Sequence, residues 1–533
     1  MRFAHKIGVP LYEMICEKRA LFGEWLFSYL LFRDNPKRAE YPRLFKPVFE
    51  QVAKESGHPA SFFEDMATRT APQFLTWALT AIDWGQYKIV GFTSTFDQNV
   101  ASLTMAKLIK DLYPNVTIVF GGANYDGEMG LEYFRAFPFI DHVVVGKGKR
   151  CSRNWFDTSS RERPGSFPAA WPIERERRSR SLRTTHSSRT LRRPVHPTMT
   201  ITTIFWLSWG GRAWARSDPA LRRFAGLLVG EKHHCTFCGL NAQSMKFRAK
   251  SSEQVAREMA YLSSRYDTVR FRLVDNIIDM KYVENLFGRF AADHCDLDVF
   301  IETKSNLHKS QIRTLAAGGV KCMQPGLESL SLNQLQAMDK GVTPMQNIIC
   351  LKWSSYYHVA VSWNLLLGFP GETNEDYRRQ IDMIPSLFHL QPPESTGKFW
   401  LERFSPYYTN PHEYGVRITG PGTAYEYVYD ARQVDLKKIA YDFEYELDNW
   451  NVDPHLYQEL VDLVQEWQRR VGSSDRPFLY YSKAMDYVTV YDGRNPKAPI
   501  RRRYDWPAAG IIEVCNEAAK SVDQIRTLLA KPT

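Results

Sequence analysis

The sequence predicts an α/β protein. A doubly wound domain comes first, a partial (β/α) barrel follows, and an α+β region ends the chain. Short apolar runs rich in Val and Ile alternate with helical segments over 87–146 and again over 250–405. Such alternation is typical of parallel sheets covered by helices. No apolar run reaches about 18 residues, so we predict no membrane-spanning helix.

Four regions follow from composition and periodicity. Residues 1–146 combine a helical, aromatic-rich lead-in with the first α/β domain, and residues 147–229 form a basic, irregular segment. Residues 230–410 hold the partial barrel, and residues 411–533 form a helical, winged-helix-like region. Within the lead-in, Ser61 stands three residues before a Glu, the spacing of a helix cap.

The first α/β domain contains three predicted strands, Lys88–Thr93, Val116–Gly122 and Asp141–Gly146. Ligands of doubly wound folds bind beyond the carboxyl ends of the strands. Glycines there would let a bulky flat cofactor approach the backbone, although ordinary strand-to-helix turns give the same pattern. The candidate binding residues at these ends are Ser94, Thr95, Gly121, Gly122, Ala123 and Asn124.

The barrel is predicted from a helix over Ser252–Ser264, capped by Ser251, and from repeated strands. These strands are Val269–Asp275, Leu297–Thr303, Lys321–Glu328, Ala360–Leu367 and Lys398–Phe404. Chemistry in such barrels lies at the carboxyl ends of the strands. Three successive strand ends carry candidate site residues, and a glycine-rich turn completes the row. The residues are Asp275, Asn276, Glu302, Lys304, Gly326 and Glu328, and the turn is Gly368–Thr373.

Cys235 and Cys238 form a Cys-x-x-Cys pair directly before the barrel, and Gly239 tightens the loop that carries them. Two thiolates at this spacing can converge on one metal ion or cluster. From spacing alone the pair is half a zinc site, a redox dithiol or part of an iron–sulfur site. Two buried structural thiols are the remaining interpretation.

Charge is distributed unevenly along the 533 residues, whose formal net charge is +10. Residues 147–226 contain 18 Lys and Arg against 5 Asp and Glu, a net charge of +13. The rest of the chain contains 51 basic and 54 acidic residues, a net charge of −3. This distribution argues against a nucleic-acid partner. The eight scattered cysteines fit a reducing cytoplasm better than a disulfide framework.

Several motifs together resemble the radical S-adenosylmethionine (SAM) enzymes. More narrowly, they resemble the cobalamin-binding-type branch that matures ribosomally made, bacteriocin-like peptides. The motifs are Gly230-Glu-Lys-His-His-Cys-Thr-Phe-Cys-Gly-Leu-Asn241, Val274-Asp-Asn276, Ile301-Glu-Thr-Lys-Ser-Asn306, Gln324-Pro-Gly-Leu-Glu-Ser329 and Leu367-Gly-Phe-Pro-Gly-Glu372. In the first domain they are Gly91-Phe-Thr-Ser-Thr-Phe-Asp-Gln-Asn99, Phe120-Gly-Gly-Ala-Asn124 and Gly127-Glu-Met-Gly130.

The resemblance implies a [4Fe–4S] cluster, SAM and, in the first domain, cobalamin. Cys235 and Cys238 would be metal ligands, and Phe237 would line the adenine pocket. The methionine and ribose portions of SAM would be held by Asp275 and Glu328, with Glu302 and Lys304 as further candidates. The implied partners are a precursor peptide and an external electron donor, with neither membrane nor nucleic acid. The Asp-x-His-x-x-Gly signature of cobalamin proteins is absent from 80–150.

One expected cluster ligand is missing from the written sequence. The family's loop reads Cys-x7-Cys-x2-Cys, which places the first cysteine at Leu227. A one-nucleotide frame shift over Leu221–Gly230 allows Phe-Glu-Asp-Ser-Arg-Gly-Cys-Trp-Trp-Gly, whose cysteine falls at that position. We therefore interpret 147–229 as a frameshift product, and we expect the chain as written to bind its cluster poorly. Met1 falls where the family's chain is already under way, so we expect the cobalamin-type domain to be incomplete at its amino end.

Three further interpretations remain open from sequence. The chain could modify RNA, as the methylthiotransferase branch does, or it could be a non-catalytic interaction protein that binds through its basic segment. The carboxyl-terminal module, with strands over Tyr480–Val490 and helices over Ala508–Ala518 and Val522–Leu529, faintly resembles winged-helix elements that capture leader peptides. An ordinary packing subdomain is the alternative for this module.

Overall fold

The computed structural model describes residues 2–16, 20–146, 222–224, 235–240, 249–274 and 276–530. The chain divides into two compact units. The first holds the described residues up to 146 together with Thr419–Glu444, and the second holds the remainder. Thr419–Glu444 thus joins the amino-terminal unit, although the sequence grouped it with the carboxyl-terminal region. Leu227, Asp275 and nearly all of 147–229 lie outside the described residues.

The helical lead-in of the first unit is held by aromatic packing. Trp25 and Tyr41 stack at 5.0 Å, and Phe22 meets Phe49 and Phe63 edge-on at 5.0 and 5.6 Å. All five rings are buried, which explains why this region is so rich in aromatic residues. The α-helices are Arg2–Ile7, Val9–Cys16, Phe22–Leu31, Tyr41–Leu44, Lys46–Ser56, Ala60–Asp65 and Ala71–Thr80.

One capping prediction in this lead-in is wrong. The helix Ala60–Asp65 begins one residue before Ser61, and its N-cap residue is Pro59, with no side-chain cap. Pro59 has an extended backbone that already sets the helix entry, so the Ser61 hydroxyl lies inside the first turn. Two π-helical segments, Met66–Thr70 here and Val283–Gly288 in the second unit, were not predicted.

A parallel three-stranded sheet forms the centre of the first unit. Its strands are β1 (Ile89–Thr93), β2 (Thr117–Gly121) and β3 (His142–Val144), in that order. Helices Asn99–Leu112 and Gly127–Ala136 connect them, as the alternating pattern predicts. Apolar side chains of the strands and the connecting helices form the core, including Val90, Ile118, Phe120, Leu103 and Ile109.

A parallel five-stranded sheet forms the first part of the barrel in the second unit. The strands, in sheet order, are β4 (Arg222–Phe224), β5 (Arg270–Leu273), β6 (Asp298–Glu302), β7 (Val320–Gln324) and β8 (Ala360–Val361). Sheet order equals chain order, as in a (β/α) barrel. β4 falls inside the segment predicted to be irregular, and it ends three residues before Leu227. The α/β fold class with a partial barrel is confirmed.

The barrel continues through two more parallel strands, β9 (Asn364–Leu367) and β10 (Ser395–Lys398). Only two residues separate β8 from β9, and a parallel bridge joins Leu365 to Glu328 beyond the end of β7. The predicted strand Ala360–Leu367 is therefore one interrupted strand. The barrel helices are Ser252–Tyr266, Arg289–Ala292, Lys309–Ala317, Leu332–Ala337, Pro344–Tyr356 and Asn374–Met383.

The outer face of these strands packs against the helices. Phe271, Val299, Ile301, Val361 and Trp363 join one apolar cluster with residues of the surrounding helices. The helix Pro454–Val471 completes this cluster with Leu460, Val464 and Trp467. Ser251 caps the first barrel helix by accepting from the Gln254 N–H at 3.2 Å, as predicted.

The remaining strands are β11 (Leu401–Glu402), β12 (Val416–Pro421), β13 (Asp442–Leu447), β14 (Leu479–Lys483), β15 (Tyr487–Asp492) and β16 (Ile500–Asp505). The last three form an antiparallel sheet in chain order. Helices Ala508–Val514 and Val522–Leu529 follow it; the second has the predicted bounds, and the first ends four residues before the predicted Ala518. Four other short helices are Pro406–Thr409, Tyr425–Val428, Leu436–Ile439 and the 3-10 helix Pro411–Tyr414. In the part of the chain described, no helix is long and apolar enough to cross a bilayer.

Candidate functional site

The Cys-x-x-Cys loop is a tight turn. The Cys238 N–H donates to the Cys235 carbonyl oxygen at 3.1 Å, which brings the two cysteines onto one turn of backbone. Both cysteine residues are partly exposed, whereas Thr236 and Gly239 are buried. The loop therefore presents its two sulfur-bearing residues at a surface while its other residues anchor it.

Hydrogen bonds to two distant segments anchor this loop. Thr236 donates its N–H to the Met338 carbonyl oxygen at 3.2 Å and its hydroxyl to the Ala337 carbonyl oxygen at 2.8 Å. The Gly239 N–H donates to Glu402 Oε2 at 2.8 Å. A Cβ added to Gly239 would lie 2.0 Å from the Arg403 carbonyl oxygen, so only glycine permits this approach.

Phe237 links the loop to the predicted SAM-binding residues. Its ring meets the Phe369 ring edge-on at 5.6 Å, and the Lys340 ammonium lies 6.0 Å from its centroid. Lys340 Nζ in turn lies 3.5 Å from Glu328 Oε1, and both side chains are mostly buried. A buried ion pair holds its members in a defined geometry. Phe237 and Glu328, predicted separately, thus converge through Lys340.

Backbone conformation aims Glu328 toward this cluster. Glu328 has φ +61° and Gly326 has φ +57°, and such left-handed conformations are strained for a non-glycine residue. The Glu328 carbonyl oxygen accepts from the Leu366 N–H at 2.9 Å, which fixes the strained residue against β9. A strained residue that is held by its surroundings is characteristic of functional sites.

The glycine-rich turn after β9 is stabilised by the buried carboxylate of Glu372. Glu372 Oε2 accepts from the Gly368 N–H at 2.9 Å, from the Tyr377 hydroxyl at 2.8 Å and from the Trp450 indole at 3.2 Å. Gln334 donates to the other oxygen at 2.9 Å. Burial raises the pKa of Glu372 despite these donors. This carboxylate therefore shapes the turn that carries Phe369.

The inner face of the barrel sheet is partly polar. In register, Arg272 of β5 pairs with Phe300 of β6, and Glu302 of β6 pairs with Gln324 of β7. A filled barrel core would carry bulky branched residues at these positions. Glu302, Lys304 and Asn276 follow strands β5 and β6, as predicted. Asp275 lies outside the described residues.

The predicted site of the first unit lies at the carboxyl ends of β1 and β2, where its residues contact one another. The Asn124 side-chain amide donates to Ser94 Oγ at 2.9 Å and to the Phe96 carbonyl oxygen at 2.8 Å. Gly122 has φ +100°, and a Cβ there would meet the Ser94 carbonyl oxygen at 2.4 Å. Thr95 donates its N–H to the Gln98 side chain, and Gly121 packs against Val144.

These contacts explain the glycine at position 122 without a cofactor. The Ser94 backbone occupies the space that a Cβ at Gly122 would fill, which is why a glycine stands at this position. The Asn124 amide is satisfied within the loop. These contacts lie within the protein and do not by themselves indicate cobalamin.

Sequence reasoning missed two residues of the main site. Lys340 follows the helix Leu332–Ala337 and not a strand, so the rule of strand ends could not select it. Glu402 lies within a predicted strand, where a single carboxylate resembles an ordinary solvated side chain. Both contribute through contacts with residues about 100 or more positions away, to Phe237 and Gly239 respectively.

Residues 229–384 match the family model of the radical SAM superfamily. This chain contains a radical SAM domain. The predictions of an enzyme, of a [4Fe–4S] cluster and of SAM are confirmed by this match, since the superfamily is defined by that chemistry. The matched residues include the Cys235–Cys238 loop, Glu328 and the Gly368–Thr373 turn, which is the cluster of contacts described above.

Two curated relatives are similar to the chain at low identity. An uncharacterized methyltransferase of Pyrococcus horikoshii is 23% identical over 324 residues, which cover 58% of this chain and 68% of that protein. A tRNA-2-methylthio-N(6)-dimethylallyladenosine synthase of Pelotomaculum thermopropionicum is 21% identical over 206 residues. That second match covers 34% of this chain and 44% of the relative.

Two solved structures are similar as well. The radical SAM methyltransferase TsrM of Kitasatospora setae, with tryptophan and a SAM analogue bound, has a TM-score of 0.48 at 14% identity. This match covers 75% of the present chain and 81% of TsrM. The cobalamin-dependent radical SAM enzyme OxsB has a TM-score of 0.49 at 11% identity, with coverages of 76% and 61%.

Three thiolates are expected to bind a [4Fe–4S] cluster, and the described residues of the radical SAM domain supply two of them. Cys235 and Cys238 are soft sulfur donors on one turn, at the edge of the sheet where Phe237 and Glu328 meet. The third expected ligand position is Leu227, whose side chain has no donor atom. Among the described residues, no group of three or more His, Cys, Asp or Glu side chains could hold a metal ion.

Proposed function

We propose that this radical SAM enzyme modifies a ribosomally synthesised precursor peptide by C-methylation, with cobalamin as the methyl carrier. The observation that carries the proposal is that Phe237, from the loop that holds Cys235, meets Glu328 through Lys340 at one edge of the barrel sheet. The methyltransferase name of the archaeal relative supports methyl transfer as the reaction class.

The chain's own residues would bind and shield the reactants. Cys235 and Cys238 would hold the cluster, and the Thr236 and Gly239 contacts would keep their turn rigid. Phe237 would pack against the adenine ring of SAM, and the Lys340–Glu328 pair would meet its polar portions. A bound cluster and SAM would supply the radical chemistry that removes hydrogen from an unactivated carbon. Phe237, Phe369 and Phe399 would exclude water from that chemistry, because their rings pack together at 5.6 and 4.8 Å.

RNA modification is the second candidate function, because one relative is named as a tRNA-modifying enzyme. The net charge of −3 outside 147–226 opposes it, since proteins that bind RNA neutralise phosphates with basic surfaces. We therefore favour a peptide as the substrate.

Anaerobic reconstitution tests the proposed function. Purified wild-type protein and the Leu227→Cys variant would be treated with iron and sulfide, then with dithionite and SAM. We expect about four irons per chain in Leu227→Cys, the content of one [4Fe–4S] cluster, and much less in wild type. Cys235→Ala in the Leu227→Cys background should remove the cluster again.

The readout of chemistry is 5′-deoxyadenosine, followed by methylation of a short peptide encoded beside the gene, with and without hydroxocobalamin. A reconstituted Leu227→Cys protein that holds four irons and yet cleaves no SAM would refute the proposal. Equal methylation with and without hydroxocobalamin would refute only the role of cobalamin as methyl carrier. Methylation of tRNA in place of peptide would favour the second candidate function.

A further inference from the structure

A large cavity lies in the second unit, away from the radical SAM site. Its volume is about 1190 Å³, and it lies between the segment that enters β8 and the segment that forms β14. Val359 and Ala360, at the amino end of β8, line it. The cysteine loop contacts residues that follow the carboxyl ends of other strands, so the cavity lies at the opposite edge of the sheet. It is larger than the roughly 300–1,000 Å³ of typical small-molecule pockets.

The charges that line this cavity are all positive. Lys309, Lys352, Arg476 and Lys483 line it, and no Asp or Glu among the described residues does. Two of these four have carboxylate partners that do not line the cavity: Lys309 pairs with Glu517 at 2.9 Å, and Lys483 pairs with Glu513 at 2.7 Å. Two positive charges therefore remain beyond those pairs, which favours an anionic ligand.

Lys352, which lines the cavity, lies close to a second positive charge. Its ammonium donates to Asn516 Oδ1 at 2.9 Å, an uncharged acceptor. Burial, and then the neighbouring charge of Lys309, lower the pKa of Lys352. Both ammonium groups lie over the Trp353 ring, at 4.4 and 4.7 Å from its centroid. The charge of Glu517, which pairs with Lys309, opposes part of this lowering. A carboxylate that enters here would reduce the repulsion between the two lysines further.

Aromatic side chains on the same walls are unusually exposed. Tyr356, Phe478 and Tyr480 are 65%, 42% and 56% exposed, and all three line the cavity. Phe478 and Tyr480 lie 5.8 Å apart, so they form one continuous apolar surface. Grouped exposed aromatic residues are typical of surfaces that bind a partner.

One wall is the open edge of a β-sheet. Among the described strands, β14 pairs only with β15, which lies along one of its two sides. The Phe478 carbonyl oxygen accepts from the Gly493 N–H at 2.8 Å, and the Ala484 N–H donates to the Tyr487 carbonyl oxygen at 2.9 Å, so the even-numbered residues bond toward β15. In an antiparallel ladder such pairs alternate, so the N–H and C=O groups of Leu479, Tyr481 and Lys483 point away from β15. Leu479, Tyr481 and Lys483 also line the cavity.

We propose that this cavity binds an extended peptide segment with acidic and aromatic side chains, which pairs with the open edge of β14. Backbone groups of the strand provide the hydrogen bonds, as in other cases of strand addition. The lysines and Arg476 recognise the carboxylates, and the exposed rings pack against the apolar side chains. This binding site depends on the proposed function only in one respect, namely that the bound peptide segment belongs to the precursor-peptide substrate. Binding itself requires neither cluster nor SAM.

Fluorescence anisotropy on the full-length, cluster-free protein tests the site. The probe is a labelled synthetic peptide that alternates Glu with Phe or Tyr, and the comparison peptide has Lys in place of each Glu. We expect the acidic peptide to bind and the basic one not to bind. Arg476→Glu, an exposed cavity residue, should weaken binding at least tenfold. Arg469→Glu, an equally exposed change outside the cavity, should leave Kd within about twofold.

The edge of β14 has its own pair of variants. Tyr481→Pro removes an outward N–H, whereas Tyr481→Ser keeps that N–H and removes only the ring. We expect Tyr481→Pro to weaken binding more than Tyr481→Ser, with circular dichroism confirming that both are folded. Equal loss in Arg469→Glu and Arg476→Glu would overturn the proposal. Displacement of the peptide by single-stranded RNA at equal concentration would overturn it too. A cluster-free protein that binds the peptide but whose reconstituted form cleaves no SAM would uphold this site and refute the proposed function alone.

Discussion

At the scale of single residues, the carboxyl groups of Glu24 and Asp97 connect neighbouring segments of the first unit. The Asn99 N–H donates to Glu24 Oε1 at 2.7 Å, so Glu24 satisfies the amino end of the helix Asn99–Leu112. Burial, and then the charge of Asp97, raise the pKa of Glu24. The Asp97 pKa is itself raised to about 7, mainly by burial, while a hydrogen bond from the Gly23 backbone opposes the shift and Asp442 adds to it. These raised pKa values predict that the stability of the unit depends on pH.

Asp97→Asn should reduce that sensitivity. Between the ordinary pKa of 3.8 and about 7, the folded protein keeps a proton on Asp97 that the unfolded chain releases. The free energy of unfolding contributed by this group therefore falls as pH rises through that interval. Asn cannot ionise and keeps an acceptor for Gly23, so the variant should gain stability relative to wild type as pH rises from 4 to 7.

Urea unfolding at several pH values measures this difference. Asp111→Asn, a change at an exposed residue paired with Lys107, is the matched control and should show no such trend. A stability difference between Asp97→Asn and wild type that stays constant from pH 4 to pH 7 would contradict the assignment of the raised pKa.

At the scale of elements, the cysteine loop is positioned by its neighbours and not by its own sequence. Its local sequence fixes a tight turn, because Gly239 follows Cys238 directly. Its place in the barrel depends on Met338, Glu402 and Arg403, which belong to other segments. A cluster-binding loop needs such support, since metal sites are held by outer contacts as well as by ligands.

Gly239→Ala should displace this loop. The added methyl group would lie 2.0 Å from the Arg403 carbonyl oxygen, a contact that backbone must move to relieve. We expect a loss of about 1–3 kcal/mol in the free energy of unfolding, as for other overpacked sites. In the Leu227→Cys background, iron content after reconstitution should fall by more than half.

Gly397→Ala is the control for this substitution, because no atom lies within 4 Å of the Cβ it would add. Iron analysis and urea unfolding are the two measurements. Full iron content in Gly239→Ala would show that the close packing of the loop is not needed for cluster binding.

At the scale of the whole molecule, one segment determines the net charge. Residues 147–226 carry +13, and the rest of the chain carries −3. The interpretation of this segment as a frameshift product remains a prediction, as does the alternative of a basic binding arm. The two interpretations differ in what the segment does for the protein: an arm would bind an acidic partner specifically, whereas an accidental sequence would attract polyanions only through its charge.

Excising residues 151–209 tests whether the protein has a nucleic-acid interface elsewhere. The excision removes 11 basic and 4 acidic residues, a net charge of +7. We expect binding to a mixed-sequence polynucleotide at low salt to weaken at least tenfold, because such binding depends on the number of neutralised phosphates. Filter binding across a salt series measures it. Undiminished, salt-dependent binding would reveal an RNA surface on the remaining chain and favour RNA modification.

The sequence by itself determined the parallel strands other than β4, the helices between them and the cysteine loop. These features depend on residues near one another in the chain, and the apolar period and motif spacing report them directly. The resemblance in five short motifs was enough to predict a radical SAM enzyme, because the ligands of a cluster must occupy one loop. Leu227 was identified by the same spacing argument.

Tertiary structure alone decided which of these residues work together. Lys340 joins Phe237 to Glu328, Thr419–Glu444 returns to the first unit, and the Ser94 backbone accounts for the glycine at 122. The cavity beside β14 likewise depends on segments more than 100 residues apart. Such contacts are set by how helices and strands pack, and packing is a property of the folded chain that local spacing does not encode.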